Sequence, residues 1–277
     1  MTQEKLVELK RFALQIRIGI LEELKARGFG HIGGSLSIAD ALAVLYGDVM
    51  RIDPKNPGWE QRDKLVCSKG HAGPAVYAAL ALKGYFPYEQ LVTLNQPGTK
   101  LPSHCDRNLT TGVDMTTGSL GQGTSLAAGM ALGDKLKGLD SRTFLFVGDG
   151  ESNEGQVWEA AMFTAAKKLT NLTWLIDNNK KQLDGYTSDI IEPFDFEEKF
   201  RAFGFEAISI DGNDIEQLYN ALTRTPIDRP IAIILNTVKG KGVAEVENTM
   251  SNHSMTPAPE AFDRWLAELH AELDALR

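Results

Sequence analysis

Phe144-Leu145-Phe146-Val147-Gly148-Asp149-Gly150-Glu151, a helical stretch through Glu154-Gly155 and Trp158-Glu159-Ala160, and then Leu172-Thr173-Trp174-Leu175-Ile176-Asp177-Asn178-Asn179 decide how this chain folds. Two apolar runs of strand length flank a segment of helical character, and each breaks into turn residues at its carboxyl end. A strand-helix-strand unit of this kind brings Asp149 and Asn179 together at the carboxyl ends of adjacent parallel strands. In open α/β sheets that edge is where ligands bind. An Asp and an Asn there offer hard oxygen ligands, suited to Mg²⁺ or Ca²⁺ rather than to a soft metal.

Outward from this unit the alternation continues. Leu6, Leu9, Phe12, Ala13, Ile16, Ile20 and Leu24 recur at helical spacing, which predicts an amphipathic helix over 3–26 that Gly28 and Gly30 end. Ser37-Ile38-Ala39-Asp40 has the form of a capping box and predicts a second helix through about Val49. Leu65-Val66-Cys67 reads as a short strand running into Ser68-Lys69-Gly70-His71, with an Ala-rich helix following to about Gly84. Residues 95–117 contain Pro97, Pro102 and Gly112 and form a long loop, which in compact domains is often functional; this one holds His104. Gly118 to Gly123 leads into a helix through about Leu136. Strands at 206–210 and 231–235 enclose a helix at 215–222, Lys239-Gly240-Lys241-Gly242 is a basic glycine loop, and 258–276 is a terminal amphipathic helix. No repeat or linker divides the chain, so one domain over 1–277 is expected. Its class is α/β, a mostly parallel sheet flanked by helices on both faces.

A net charge of −8 argues against general nucleic-acid affinity. No run approaches the roughly 18 apolar residues of a membrane span, and the N-terminal helix does not look like a signal peptide. Cys67 and Cys105 show neither metal spacing nor a disulfide framework, which favours a reducing cytoplasm. An anionic ligand must then be held by backbone amides, helix N-termini, a metal or a few basic residues. Four of the five histidines stand in Gly- or Pro-containing turns, while His270 lies in the terminal helix and reads as surface.

Gly148-Asp149-Gly150, followed one strand-helix unit later by Asn178-Asn179, resembles the thiamine-diphosphate motif. Gly30-His31, Ser68-Lys69-Gly70-His71, Thr117-Gly118-Ser119-Leu120-Gly121-Gln122-Gly123, Glu154-Gly155, Trp158-Glu159-Ala160, Leu169, Asn171-Leu172 and Leu183-Asp184-Gly185 are similar to transketolase, and the ordered set runs from the N-terminal helix to His253. The resemblance implies the thiamine-diphosphate-binding fold and two cofactors, thiamine diphosphate and Mg²⁺, with Ca²⁺ or Mn²⁺ as substitutes. In the family pattern Asp149, Asn179 and the backbone carbonyl of Lys181 ligate the metal. Lys181 departs from that pattern, where an apolar residue is usual, but a carbonyl ligand tolerates the change. Gly150, lacking a Cβ, and Glu151 fall beside the diphosphate. The backbone of Gly118, Ser119 and Leu120 binds the aminopyrimidine and supports the cofactor's bent form. His31 and His71 line the cleft near the thiazolium and donor sugar, His104 contacts the reacting centre, and His253 contacts cofactor and substrate. Neutral imidazoles donate, accept and shuttle protons near pH 7, so catalytic roles are shared among these four, with His71 and His253 also binding cofactor. The residues flanking His253, Ser251-Asn252 and Ser254-Met255, depart from the family pattern. Glu154 and Glu159 match acids near the family's subunit interface.

The resemblance covers only the N-terminal, diphosphate-binding part of a transketolase. It therefore implies a split enzyme, in which this chain and a pyrimidine-binding C-terminal subunit form a heterotetramer acting on sugar phosphates such as xylulose 5-phosphate. No nucleic acid or membrane partner is expected. The alternatives are another thiamine-diphosphate enzyme subunit, similar to deoxyxylulose-phosphate synthase or a 2-oxo acid dehydrogenase, and a non-catalytic cofactor-binding relative. A dinucleotide-binding dehydrogenase fits poorly, since no Gly-x-Gly-x-x-Gly follows the first strand.

Overall fold

Five strands form one sheet in the computed structural model, which describes residues 1–183 and 185–276. They are β1 (Lys64–Cys67), β2 (Thr143–Gly148), β3 (Leu172–Asn178), β4 (Glu206–Asp211) and β5 (Ile231–Asn236), in the order β1-β2-β3-β5-β4. All four pairings are parallel. Asp184, in the Leu183-Asp184-Gly185 motif, lies outside the described residues.

The apolar runs are continuous because both faces of the sheet are covered. In β2, Phe144 and Phe146 point into one core while Leu145 and Val147 point into the other. The first core is built by α1 (Gln3–Arg27), the one-turn α2 (Gly33–Leu36), α3 (Ala39–Val44) and α4 (Gly73–Leu82). The second is built by α5 (Gln122–Leu136), α6 (Gly155–Ala166) and, past the single turn α7 (Thr187–Ile190), α8 (Phe196–Ala202). Trp174 of β3 is its largest buried side chain, edge-on to Phe200 and Phe205. The first face is completed by α9 (Ile215–Leu222), the single turn α10 (Ala244–Glu247) and α11 (Pro259–Ala275). No described helix is long and apolar enough to cross a membrane.

Gly28 ends α1 in the left-handed conformation expected of it. The capping box does not form. Ser37 caps nothing; its hydroxyl donates to the Gly34 carbonyl and, at 2.8 Å, to Asp177 on β3, while Asp40 turns back to pair with Arg17 of α1. The predicted helix through Val49 is nonetheless present, as α3 continued by a wider π-turn over Leu45–Val49, and α2 is an additional turn ahead of it. Side-chain pairing across the fold outcompetes local capping here.

Candidate active site

Gly148 lies opposite Asp177 in the β2/β3 register, which sets Asp149 and Asn179 beside each other one and two residues further on. With Lys69 after β1 and Lys239 after β5, they form the floor of a cavity of about 250 Å³. Every site residue expected from the sequence lines this cavity except Ser119, which is exposed between Gly118 and Leu120.

His31, His71, His104 and His253 come from four separate loops and converge on its roof. The His31 ring lies 5.5 Å from His71, 5.4 Å from His104 and 5.3 Å from His253, and His71 is 4.7 Å from His253. Burial holds all four below the ordinary histidine pKa. For His253, burial and then the Lys239 ammonium bring it down to about 3. At neutral pH the cluster is a set of uncharged imidazoles. Gly118, at φ +147°, lies against His104, and a Cβ there would come within 3.2 Å of the ring.

The floor is electrostatically uneven. Asp177 is wholly buried, and burial alone would raise its pKa. The Lys69 ammonium at 2.5 Å, the Thr237 and Ser37 hydroxyls and the Asn179 amide at 2.9 Å instead hold it below the usual carboxylate range. With its NH₂ committed to Asp177, Asn179 has its amide oxygen left over, and this accepts from the Lys181 N–H at 3.1 Å. Among the described residues Asp149 accepts from two backbone donors, Gly150 N–H at 2.7 Å and Lys180 N–H at 2.5 Å. It is 3% exposed, and burial with the negative charge of Asp177 raises its pKa to about 7. A carboxylate so short of positive charge, next to an amide oxygen and the Lys181 carbonyl, fits a hard divalent cation. Among the described residues no group of three or more His, Cys, Asp or Glu gathers as a metal site, so a cation here would need oxygens from a ligand to complete its shell.

Two expected cofactor contacts have another duty inside the protein. The Glu151 carboxylate accepts from the Ser68 hydroxyl and from the N–H groups of Gly121 at 2.8 Å and Gly148 at 2.9 Å. It fastens the Gly118–Gly123 loop to β2, and only the backbone of Glu151 remains available to a ligand. A Cβ on Gly150 would come within 2.7 Å of the Gln182 side chain, so the missing side chain makes room for the β3 loop. Lys69, Asp177 and Lys239 are site residues that sequence reasoning missed. The available signals were a charged residue ending the apolar β3 run and two lysines already standing in Gly-containing turns, Ser68-Lys69-Gly70-His71 and Lys239-Gly240-Lys241-Gly242.

An all-parallel sheet with helices on both faces, carrying this polar cavity at its carboxyl edge, defines a cofactor-binding α/β domain. The chain belongs to the transketolase family: residues 9–261 match the family described as transketolase, thiamine diphosphate binding domain. It is 51% identical over 273 residues to the 6-deoxy-6-sulfo-D-fructose transketolase subunit SqwG of Clostridium sp. (strain MSTE9), covering 97% of this chain and 98% of that one. It is 37% identical over 267 residues to an apulose-4-phosphate transketolase subunit from Actinobacillus succinogenes, covering 96% of each. Among solved structures, the transketolase of Campylobacter jejuni is similar with a TM-score of 0.84 and 28% identity, over 100% of this chain and 48% of its own. The chain thus spans about half the length of the solved transketolases it matches.

Proposed function

We propose that this chain is the diphosphate-binding subunit of a split transketolase, a single domain over 1–277 working in the cytoplasm with a pyrimidine-binding partner. The observation that carries this reading is the convergence of four uncharged imidazoles over an under-neutralised carboxylate at the edge of a parallel sheet. Relatives named as transketolase subunits match it over nearly their whole length, which supports a separate partner chain. So do the exposed apolar side chains of α5 and α6, Leu126, Leu136, Met162 and Phe163, with Glu154 and Glu159 also exposed. Two copies of each subunit would give a heterotetramer, an obligate assembly of a kind that typically buries upwards of ~2,000 Å². Both cysteines are buried and free, consistent with a reducing compartment.

In this reading Asp149, the Asn179 amide oxygen and the Lys181 carbonyl hold Mg²⁺. Lys239 and the backbone of Gly150 and Glu151 face the diphosphate, and Gly118 to Leu120 support the aminopyrimidine. Bound thiamine diphosphate supplies the carbon nucleophile and the electron sink for ketol transfer. The protein's own part is to bind, orient and move protons. His31, His71, His104 and His253 hydrogen-bond the donor's hydroxyl and carbonyl oxygens and take or return their protons, which uncharged imidazoles do in both directions.

The donor is a ketose with an anionic far end. The 51% identity to a sulfofructose transketolase subunit favours 6-deoxy-6-sulfo-D-fructose, with xylulose 5-phosphate as the second reading and an aldose phosphate as acceptor. The lysines lining the cavity are already engaged: Lys69 with Asp177, Lys181 with two carbonyls, Lys239 with a carbonyl and His253. The grip on the sulfonate or phosphate therefore falls to the partner. Ketol transfer from each donor, measured with this chain alone and with its partner, tests the proposal. Transfer should require both chains. Full activity from this chain alone, or pyruvate decarboxylation in place of ketol transfer, would overturn it.

A further inference from the structure

Lys181 is the one residue of the candidate metal loop whose type departs from the family pattern, and its side chain is engaged with another segment. The Nζ donates to the carbonyls of Glu247 at 3.1 Å and Thr249 at 3.2 Å, where α10 ends. Lysine suits that place, because the last carbonyls of a helix turn lack partners within it. Four residues beyond Thr249 the same segment delivers His253 to the imidazole cluster. The backbone of Lys181 reaches His253 by a second route. Its carbonyl accepts from Lys239 Nζ at 3.0 Å, and that nitrogen stands 3.4 Å from His253 Nδ1.

Among the described residues the His253 segment has further anchors, one of them the Asn252 carbonyl, which accepts from the Gly33 N–H at 2.9 Å. The buried Asn252 amide donates to the Lys239 and Val246 carbonyls, and Met255 exchanges a pair of backbone hydrogen bonds with Gly30. Between Thr249 and Asn252, Met250 and Ser251 are exposed, and the tie between this stretch and the β3 loop is the Lys181 ammonium. Without it, water can hydrate the two carbonyls. The loss is one of position, not of core stability.

We propose that Lys181 is a positioning residue, its side chain coupling the cofactor loop after β3 to the segment that carries His253, so that filling the Asp149–Asn179–Lys181 edge sets where His253 stands. What fills that edge rests on the transketolase reading above; the coupling itself rests on the hydrogen bonds.

The test uses this chain with its partner subunit and compares wild type, Lys181→Met and Lys181→Arg. Hydrogen exchange is followed in residues 248–255, where the Asn248, Thr249 and Met255 amides are hydrogen-bonded, with and without thiamine diphosphate and Mg²⁺. In wild type, ligand addition should slow exchange across this segment. In Lys181→Met the segment should exchange at least about tenfold faster and no longer respond to ligand, while Lys181→Arg restores the response. Cofactor affinity, read by fluorescence titration, should change little because the carbonyl is retained, whereas kcat should fall by about tenfold or more with KM nearly unchanged. Adding His253→Ala to Lys181→Met should cost little beyond either change alone. Wild-type exchange in Lys181→Met, or losses that multiply in the double variant, would overturn the coupling. Absence of ketol transfer in wild type would overturn the functional reading instead, and the exchange comparison would still decide the role of Lys181.

Discussion

Lys69 and Asp177 meet 2.5 Å apart beneath the cavity floor, with side chains 2% and 0% exposed. The pair is held on all sides: Lys69 also donates to the Gly34 carbonyl at 2.7 Å, and Asp177 accepts from Ser37, Asn179 and Thr237. Removing one partner of such a pair leaves an uncompensated buried charge. Lys69→Met should lower the stability of the isolated chain by about 3–5 kcal/mol, measured by urea unfolding at pH 7. A loss below about 1 kcal/mol would show that water reaches Asp177 after all.

Asp149 gives the cofactor-free chain a characteristic pH response. Folded, it keeps its proton to about pH 7; unfolded, it releases it near pH 4. Its folded pKa is raised, so the favourable contribution is complete below about pH 4 and is lost as pH rises to about 7. Asp149→Asn should remove that slope and stabilise the cofactor-free chain at pH 8 by on the order of 1–3 kcal/mol. The same variant should lose the rise in Tm that thiamine diphosphate with Mg²⁺ gives wild type, and EDTA should reproduce that loss in wild type. Calorimetry from pH 4 to 8 checks both halves.

The imidazole cluster should be silent where histidines usually titrate. Burial holds His31, His71 and His104 below the ordinary histidine value of about 6.5 and His253 at about 3, so all four should show neutral-form carbon-bound ring-proton shifts at pH 7. An NMR titration from pH 8 to 5 reads this directly. A cluster histidine with a midpoint at or above about 6.5, the ordinary histidine value, would contradict the burial argument.

Glu23 in α1 is fully buried, and among the described residues neither carboxylate oxygen has a hydrogen-bond partner. Burial, followed by the charge of Glu22, raises its pKa well above the ordinary value. The folded chain therefore loses stability as pH climbs above the unfolded value near 4. Glu23→Leu should stabilise by about 1–2 kcal/mol at pH 8 and by less at pH 5, compared by denaturant unfolding at the two pH values.

Met162, 52% exposed on α6, tests the proposed subunit contact. Met162→Asp should leave the circular dichroism and Tm of the isolated chain unchanged while weakening partner association by at least about tenfold in light scattering. Unaltered association would move the interface to another face.

The centre of the sheet was legible because β2 and β3 are apolar on both faces and end in turn residues, so Phe144–Val147 and Leu172–Ile176 could be read without knowing their neighbours. Asp149 and Asn179 became adjacent through the same reading, since parallel register follows from one strand-helix-strand unit. What was not legible depends on partners distant in sequence. Ser37 looked like a cap because its local pattern allowed one, and its hydroxyl went instead to Asp177, a hundred and forty positions away. Glu151 looked like a ligand contact because it sits beside the glycine turn, yet its carboxylate is consumed by Ser68 and two backbone amides. Local residue types say which groups are available; only the packed fold says which are already used.

Gly30 and Met255 donate backbone N–H groups to each other's carbonyls, both at 3.0 Å, and so fasten the His31 turn to the His253 segment. The two partners stand 225 positions apart, and all five strands lie in the loop that this clasp closes. The imidazole roof therefore depends on contacts of long sequence separation, whose loop-closure cost makes them late to form, so much of the sheet can pair before the cluster is complete.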